Sequence, residues 1–200
     1  MTDVPAVVAA IRTGQPVVLP TDTVYGLCAT PYAEAPVRRM YRLKGRMDEQ
    51  PAALMARDLD FLLECVPELR GAAAAVARAL LPGPYTLVLR NPGRRFRWLS
   101  GLQPETIGVR VPAGGALRDV LEHVGVLAAT SANLPGGPDP RRLEDVPDSI
   151  RSGAAAELDG GELPGTPSTV LDLTGPEPAV LREGAVAADE ALEAARAVFA

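Results

Sequence analysis

A mixed α/β domain is what this sequence predicts. Short apolar runs bounded by proline, glycine and small polar residues alternate loosely with segments whose apolar residues recur at helical spacing. Several neighbouring runs look hairpin-like, which favours a mixed sheet over a strictly parallel one. The 200 residues are 47% hydrophobic and 22% charged, ordinary for a globular chain and enough to bury one full core. No internal repeat and no domain boundary is visible, so residues 1–200 read as a single domain.

The elements follow in order. Val4 to Arg12 carries apolar residues at helical spacing and stops before Gly14, a C-cap residue. Pro16 to Pro20 encloses a short buried strand. Thr21-Asp22-Thr23 is a polar turn, and Val24 to Ala29 is apolar again. Ala33 to Leu43 reads as a helix with Val37, Met40 and Tyr41 inward and Arg38, Arg39 and Arg42 outward. Ala52 to Ala56 reads as a strand, and Asp58 is placed to cap the next helix. Ala72 to Leu81 is an alanine-rich helix halted at Pro82. Tyr85 to Leu89 alternates little and reads as a fully buried strand. Asn91 to Pro104 is a loop carrying Arg94, Arg95 and Arg97. Thr106 to Val111 is a strand, Ala116 to His123 a helix, and Val126 to Ala129 a short strand. Ser131 to Pro140 is a polar loop, and Arg142 to Arg151 is a candidate helix. Ser168 to Leu173 and Ala179 to Leu181 pair around Gly175-Pro176. Ala187 to Phe199 closes the chain as an amphipathic helix.

Composition narrows the function. The net charge is −5, whereas a chain built mainly to grip a phosphate backbone is usually basic. Cys28 and Cys65 lack a CxxC partner and a histidine at ligand spacing, so they read as buried residues of a reducing compartment. No basic leader and no run of 18 apolar residues is present; the expectation is a cytoplasmic protein with no membrane partner. His123, the one histidine, sits in a helix and reads as a partly buried or surface residue. Neither a GxxxxGK[ST] loop nor a GxGxxG after the first strand occurs.

Three polar segments lie between short strands. Pro20 to Gly26 sets two hydroxyls, a carboxylate and a phenol at a strand end, which suits either a polar ligand pocket or a hydrogen-bonded turn. Lys44-Gly45-Arg46 ends a helix; the cations either complement its dipole or pair for polyphosphate. Thr130-Ser131-Ala132-Asn133 follows a strand, where it either caps a turn or lets a phosphate approach closely.

In this order and spacing the three segments resemble the YrdC/Sua5 family. The further marks are "LLPGPYTLVL" (Leu80 to Leu89), "IGVRVP" (Ile107 to Pro112), "PSTVLDL" (Pro167 to Leu173) and "VLREG" (Val180 to Gly184), so the resemblance spans about Val8 to Gly184. It implies a YrdC-like twisted mixed β-sheet flanked by helices, with a wide basic-lined cleft, in the short single-domain form. It implies an L-threonylcarbamoyladenylate synthase that condenses L-threonine, bicarbonate and ATP, with Mg2+ accompanying ATP. The product would pass to a tRNA threonylcarbamoyl-transferase complex for t6A modification, with weak or no direct tRNA binding. Residue by residue, the resemblance implies that Lys44 and Arg46 hold the phosphates and carry catalysis. Gln50, Thr106, Ser131, Asn133 and Arg182 would join Arg46 around the nucleotide. Thr23, Arg110 and Ser168 would contact threonine, Arg110 as a bidentate carboxylate clamp.

The segment after the basic pair departs from the commoner family pattern. Met47, Gln50, Ala52 and Met55 stand where many members have Pro, Asn, Leu and His. Gln50 keeps an amide for the nucleotide; Met55 offers no polar contact beside the amino acid. Three other readings cover parts of the sequence: a YciO-like paralogue with altered substrate, a carbamoyl-phosphate-using relative, and an RNA-binding module centred on Arg94, Arg95 and Arg97.

Overall fold

The computed structural model describes residues 3–45 and 50–198. Local signals set most of the elements. In α1 (Val4–Arg12) the Asp3 side chain accepts from the Ala6 N–H at 3.0 Å, and Gly14 beyond the helix takes φ +75°. Asp58 caps α3 (Leu59–Cys65) through the Phe61 N–H at 2.7 Å. In α2 (Glu34–Leu43), Val37, Met40 and Tyr41 are buried as their spacing predicts, while Arg38 pairs with Glu34 one turn away. The remaining helices are α4 (Gly71–Leu80), α5 (Ala116–Val124), α6 (Asp148–Gly153) and α7 (Ala188–Arg196).

The strands are β1 (Val17–Pro20), β2 (Tyr25–Ala29), β3 (Ala53–Ala56), β4 (Tyr85–Arg90), β5 (Thr106–Arg110), β6 (Val126–Ser131), β7 (Ala156–Glu157), β8 (Thr169–Asp172) and β9 (Ala179–Arg182). They form one mixed sheet in the order β7-β1-β2-β6-β3-β5-β4-β8-β9. Antiparallel β1–β2 and β8–β9 are the hairpin-like pairs, and β3–β5 and β4–β8 are parallel.

Register decides which residues share a face. Leu54 pairs with Val109 and with Ala128, and Leu87 pairs with Val109. Those side chains join Tyr25, Leu27 and Leu171 in the larger core, beneath α2, α3, α4 and α7. The opposite face carries Val17, Leu19, Cys28, Met55, Leu127 and Ala129, covered by α1 and α5. That cover reaches only the β1 side of the sheet.

Four local expectations need correction. β4 does alternate: Tyr85, Leu87 and Leu89 are buried, while Thr86 and Val88 are half-buried on the other face. β6 extends through Thr130 and Ser131, because they pair with Leu27 and Gly26 of β2. The expected helix over Arg142 to Arg151 breaks into a 3-10 turn at Leu143–Asp145 and α6, since Pro147 interrupts the backbone donors. Cys65 is half-buried, not buried, whereas Cys28 is fully enclosed. The sequence offered no sign of β7, which docks in parallel on the edge of β1. No helix among the described residues is long and apolar enough to cross a membrane.

Two outcomes follow from this packing. Leu54→Ala should cost about 3 kcal/mol of unfolding free energy, while Ala53→Ser, one residue away and facing the open side, should cost far less; urea denaturation compares them. Burial pushes the Cys28 thiol up to about 12 and raises that of Cys65 as well. Ellman titration of native protein near neutral pH should therefore find Cys65 slow, faster as pH rises, and Cys28 silent until the chain is unfolded.

Candidate functional site

Beyond the reach of α1 and α5, the same sheet face is open and floors a cavity of about 670 Å3. Small residues keep the floor low. Gly26, Ala53, Gly108 and Ala129 line it, and Gly108 pairs with Ala53, which pairs with Ala129. A Cβ at Gly26 would meet Thr21 Cγ2 at 3.2 Å, so the floor and the β1–β2 turn pack tightly there. Leu102, Leu134 and Leu181, 73%, 41% and 60% exposed, stand at the rim. No aspartate or glutamate is among the described lining residues, whereas Lys44, Arg110 and Arg182 are.

Every sequence-predicted site residue that the structure describes lines this one cavity. Thr23 comes from the β1–β2 turn, Lys44 from the end of α2, and Gln50 from the segment before β3. Thr106 and Arg110 lie at the two ends of β5, Ser131 and Asn133 at the end of β6. Ser168 and Arg182 come from β8's start and β9's end. Arg46 and Met47 lie outside the described residues. His123 is exposed on α5, away from this cavity.

Lys44 is 4% exposed. It occupies the C-cap of α2, and Gly45 at φ +66° turns the chain away after it. Its ammonium donates to Ser131 O at 2.6 Å, Asn133 O at 2.8 Å and Asn133 Oδ1 at 2.6 Å. Together these bonds make the lysine an anchor of the loop that carries Ser131 and Asn133. Asn133 Nδ2 donates to Gly137 O at 2.7 Å, and Ser131 Oγ donates to Asn133 Oδ1 at 2.7 Å.

Arg110 is also committed. Its Nη2 donates to Asp22 and, at 3.0 Å, to Thr23 Oγ1. Its Nε is buried without a partner among the described residues. Burial pushes its pKa down, Asp22 opposes this, and nearby Arg182 adds to the push. A bidentate clamp using Nη2 would have to displace an existing partner. Arg182 donates through Nη2 to Ser168 O at 2.7 Å and Ser168 Oγ at 3.2 Å, and Ser168 Oγ lies 2.8 Å from Thr86 Oγ1. Thr86 and Gln103 line the cavity and were missed, while Thr21, one of the two hydroxyls of the Pro20 to Gly26 segment, lines it as well. The polar Thr86 between Tyr85 and Leu87 was the signal the sequence held for it.

Two arginines of the 91–104 loop are engaged elsewhere. Arg94 pairs with Glu105 at 2.5 Å and Arg95 with Glu68 at 3.0 Å. Buried Asn91 shapes the loop, donating to Arg95 O at 2.8 Å and accepting from the Arg95 N–H at 3.0 Å.

Comparison with known proteins matches this arrangement. A family model named for Sua5, YciO and YrdC, and described as "Telomere recombination", matches residues 9–184. A provisionally named threonylcarbamoyl-AMP synthase of Mycobacterium tuberculosis is 33% identical over 187 residues, covering 93% of this chain and 86% of that protein. The structure of Pyrococcus abyssi Sua5 complexed with L-threonine superposes with a TM-score of 0.87 at 33% identity, covering 96% of this chain and 56% of that one. Escherichia coli YciO superposes with a TM-score of 0.83 at 29% identity, covering 94% and 92%. The chain thus spans little more than half of the archaeal Sua5.

The Lys44 anchor predicts a measurable effect. In Lys44→Met, backbone amides of residues 131–137 should exchange about tenfold faster, a loss of about 1.4 kcal/mol of local protection. Hydrogen exchange by mass spectrometry would read it; unchanged protection there would show that the lysine does not hold the loop.

Proposed function

This chain belongs to the Sua5/YciO/YrdC family, and we propose that it is a threonylcarbamoyl-AMP synthase. The observation that carries the reading is the convergence of Lys44, Ser131, Asn133, Arg110, Ser168 and Arg182, from distant parts of the chain, on one cavity. The P. abyssi relative complexed with L-threonine supports the amino acid, and the relatives' names support the adenylate product.

The chemistry suits such a wall. The threonine amine adds to carbon dioxide derived from bicarbonate and loses a proton, giving a carbamate. A carbamate oxygen then attacks the α-phosphorus of ATP. The bond from that phosphorus to the bridging oxygen breaks, and pyrophosphate leaves with the electron pair. No side chain acts as nucleophile. The protein positions the reactants and stabilises charge gathering on phosphate oxygens. Lys44 and Arg46, beside the Ser131–Asn133 loop, would hold the phosphates, with Gln50, Thr106 and Arg182 around the nucleotide. Thr23, Arg110 and Ser168 would meet the amino acid. ATP would enter as its magnesium complex, the ion carried by phosphates and water and neutralising part of their charge. The described residues hold no cluster of three His, Cys, Asp or Glu side chains that would chelate it independently.

The product would go to a cytoplasmic tRNA threonylcarbamoyl-transferase complex, completing t6A. Direct tRNA binding would be weak, since Arg94 and Arg95 are already ion-paired.

Pyrophosphate release from ATP should require L-threonine and bicarbonate together. Release supported by carbamoyl phosphate instead would move the chain to carbamoyl transfer. ATP binding without release would make it a YciO-like paralogue. Arg46→Ala should lose roughly 2–4 kcal/mol of transition-state stabilisation in kcat/KM while its melting temperature stays unchanged; near-normal turnover would remove Arg46 from the site.

A further inference from the structure

Leu102 lines the cavity, is 73% exposed and packs in neither core cluster. It stands at the tip of a tight turn, in which the Gln103 N–H donates to Ser100 O at 3.1 Å and Gly101 takes φ +58°. Both feet of that turn are fastened to Thr106. Ser100 Oγ donates to Thr106 O at 2.6 Å, and the Thr106 N–H donates to Gln103 O at 2.9 Å. An exposed leucine is thus held beside Thr106 by three hydrogen bonds, without a core to explain it.

Strand register says what reaches this end of the cavity. Ala129, Ala53 and Gly108 form a row across the floor. Ser131 and Thr106 both lie beyond that row on the same side, because β6 runs against β3 and β5 runs with it. Two strand spacings separate them, about 10 Å, a gap of nucleoside size. Arg110 lies on the other side of the row, where its register partner Met55, 3% exposed, packs with Leu117 and Leu127 and closes the floor. A nucleotide with its phosphates at the Ser131–Asn133 loop therefore finds room for its base at Leu102 and Thr106, and faces the amino acid towards Arg110.

The two side chains offer different contacts. Leu102 gives apolar surface to the flat face of a base. Thr106 meets the edge. Its Oγ1 donates to Gln103 O at 3.0 Å, which leaves the lone pairs for a ligand. They accept from the exocyclic amine of adenine, whereas a carbonyl in that place would have to draw the proton away from Gln103 O. Neighbouring polar groups do not decide the matter. Ser100 is 5% exposed with its hydroxyl spent on Thr106 O, and the amides of Gln50 and Gln103 carry both donor and acceptor and suit either base.

We propose that Leu102 and Thr106 form the nucleobase end of the cavity, Leu102 as the platform for the ring and Thr106 as the acceptor that selects adenine over a 6-oxopurine. This rests on the synthase reading given above, which supplies the nucleotide.

The test uses the full chain and three probes: ATP, ITP, which carries a carbonyl where adenine has its amine, and inorganic tripolyphosphate, which has no base. In isothermal titration calorimetry with magnesium present, wild-type protein should bind ATP roughly tenfold more tightly than ITP, the worth of one hydrogen bond made instead of opposed. Leu102→Ala should weaken ATP and ITP alike, about tenfold, and leave tripolyphosphate unchanged. Its melting temperature should match the wild type, since the side chain is exposed. Thr106→Val should weaken ATP and abolish the preference over ITP, and Thr106→Ser should restore it. A wild type indifferent between ATP and ITP, or a tripolyphosphate affinity that falls with Leu102→Ala, would overturn the proposal. Pyrophosphate release separates it from the reading beneath it. A wild type with the expected base preference but no threonine-dependent release sinks the synthase reading alone; normal ATP binding by Leu102→Ala sinks the base platform whatever the activity.

Discussion

The site exists because helices cover one face of the sheet fully and the other only in part. On the covered face, Leu54, Leu87, Val109 and Leu171 are fully buried beneath α2, α3, α4 and α7. On the other, α1 and α5 seal only the end near β1, against Val17, Leu19 and Leu127. An uncovered stretch of sheet would expose apolar surface to water. Here glycine, alanine, threonine and serine keep it shallow and polar, so an open sheet face becomes a ligand cavity at little hydrophobic cost.

Its cations are held before any ligand arrives. Lys44 is buried at 4% exposure and hydrogen-bonded to a loop, Arg110 is tied to Asp22 and Thr23, and Arg182 grips the Ser168 carbonyl. Burying a charge is tolerable only when it is paired or well hydrogen-bonded. Meeting that requirement through backbone carbonyls and one internal carboxylate leaves the positive field in place while the geometry stays fixed. A reaction that gathers negative charge on phosphate oxygens then needs little rearrangement of the protein.

Much of this was legible in advance. Apolar spacing located α1, α2 and α4, and the cap at Asp58 located α3. The hairpin-like pairs foretold a mixed sheet. The errors have physical causes. Thr86 and Val88 were read as buried because both suit a strand interior, and only the register shows that they face the open side. Thr130 and Ser131 carry no strand signal of their own; pairing with β2 makes them one. β7 is two residues long and follows Gly153-Ala154-Ala155, so nothing local separates it from a loop.

The sequence by itself determined the element types, the order of the polar segments and the residue chemistry at each, because these depend on side-chain period and on hydroxyl, amide, ammonium and guanidinium groups present at set positions. Only the tertiary structure decided how those groups are spent. Lys44 and Ser131 are 87 positions apart, and Asp22 and Arg110 are 88. No local pattern encodes which of several acceptors a cation will find across such a gap. That choice follows from strand order and register, which bring the turn after β1, the end of α2 and the ends of β5 and β6 around one open patch of sheet.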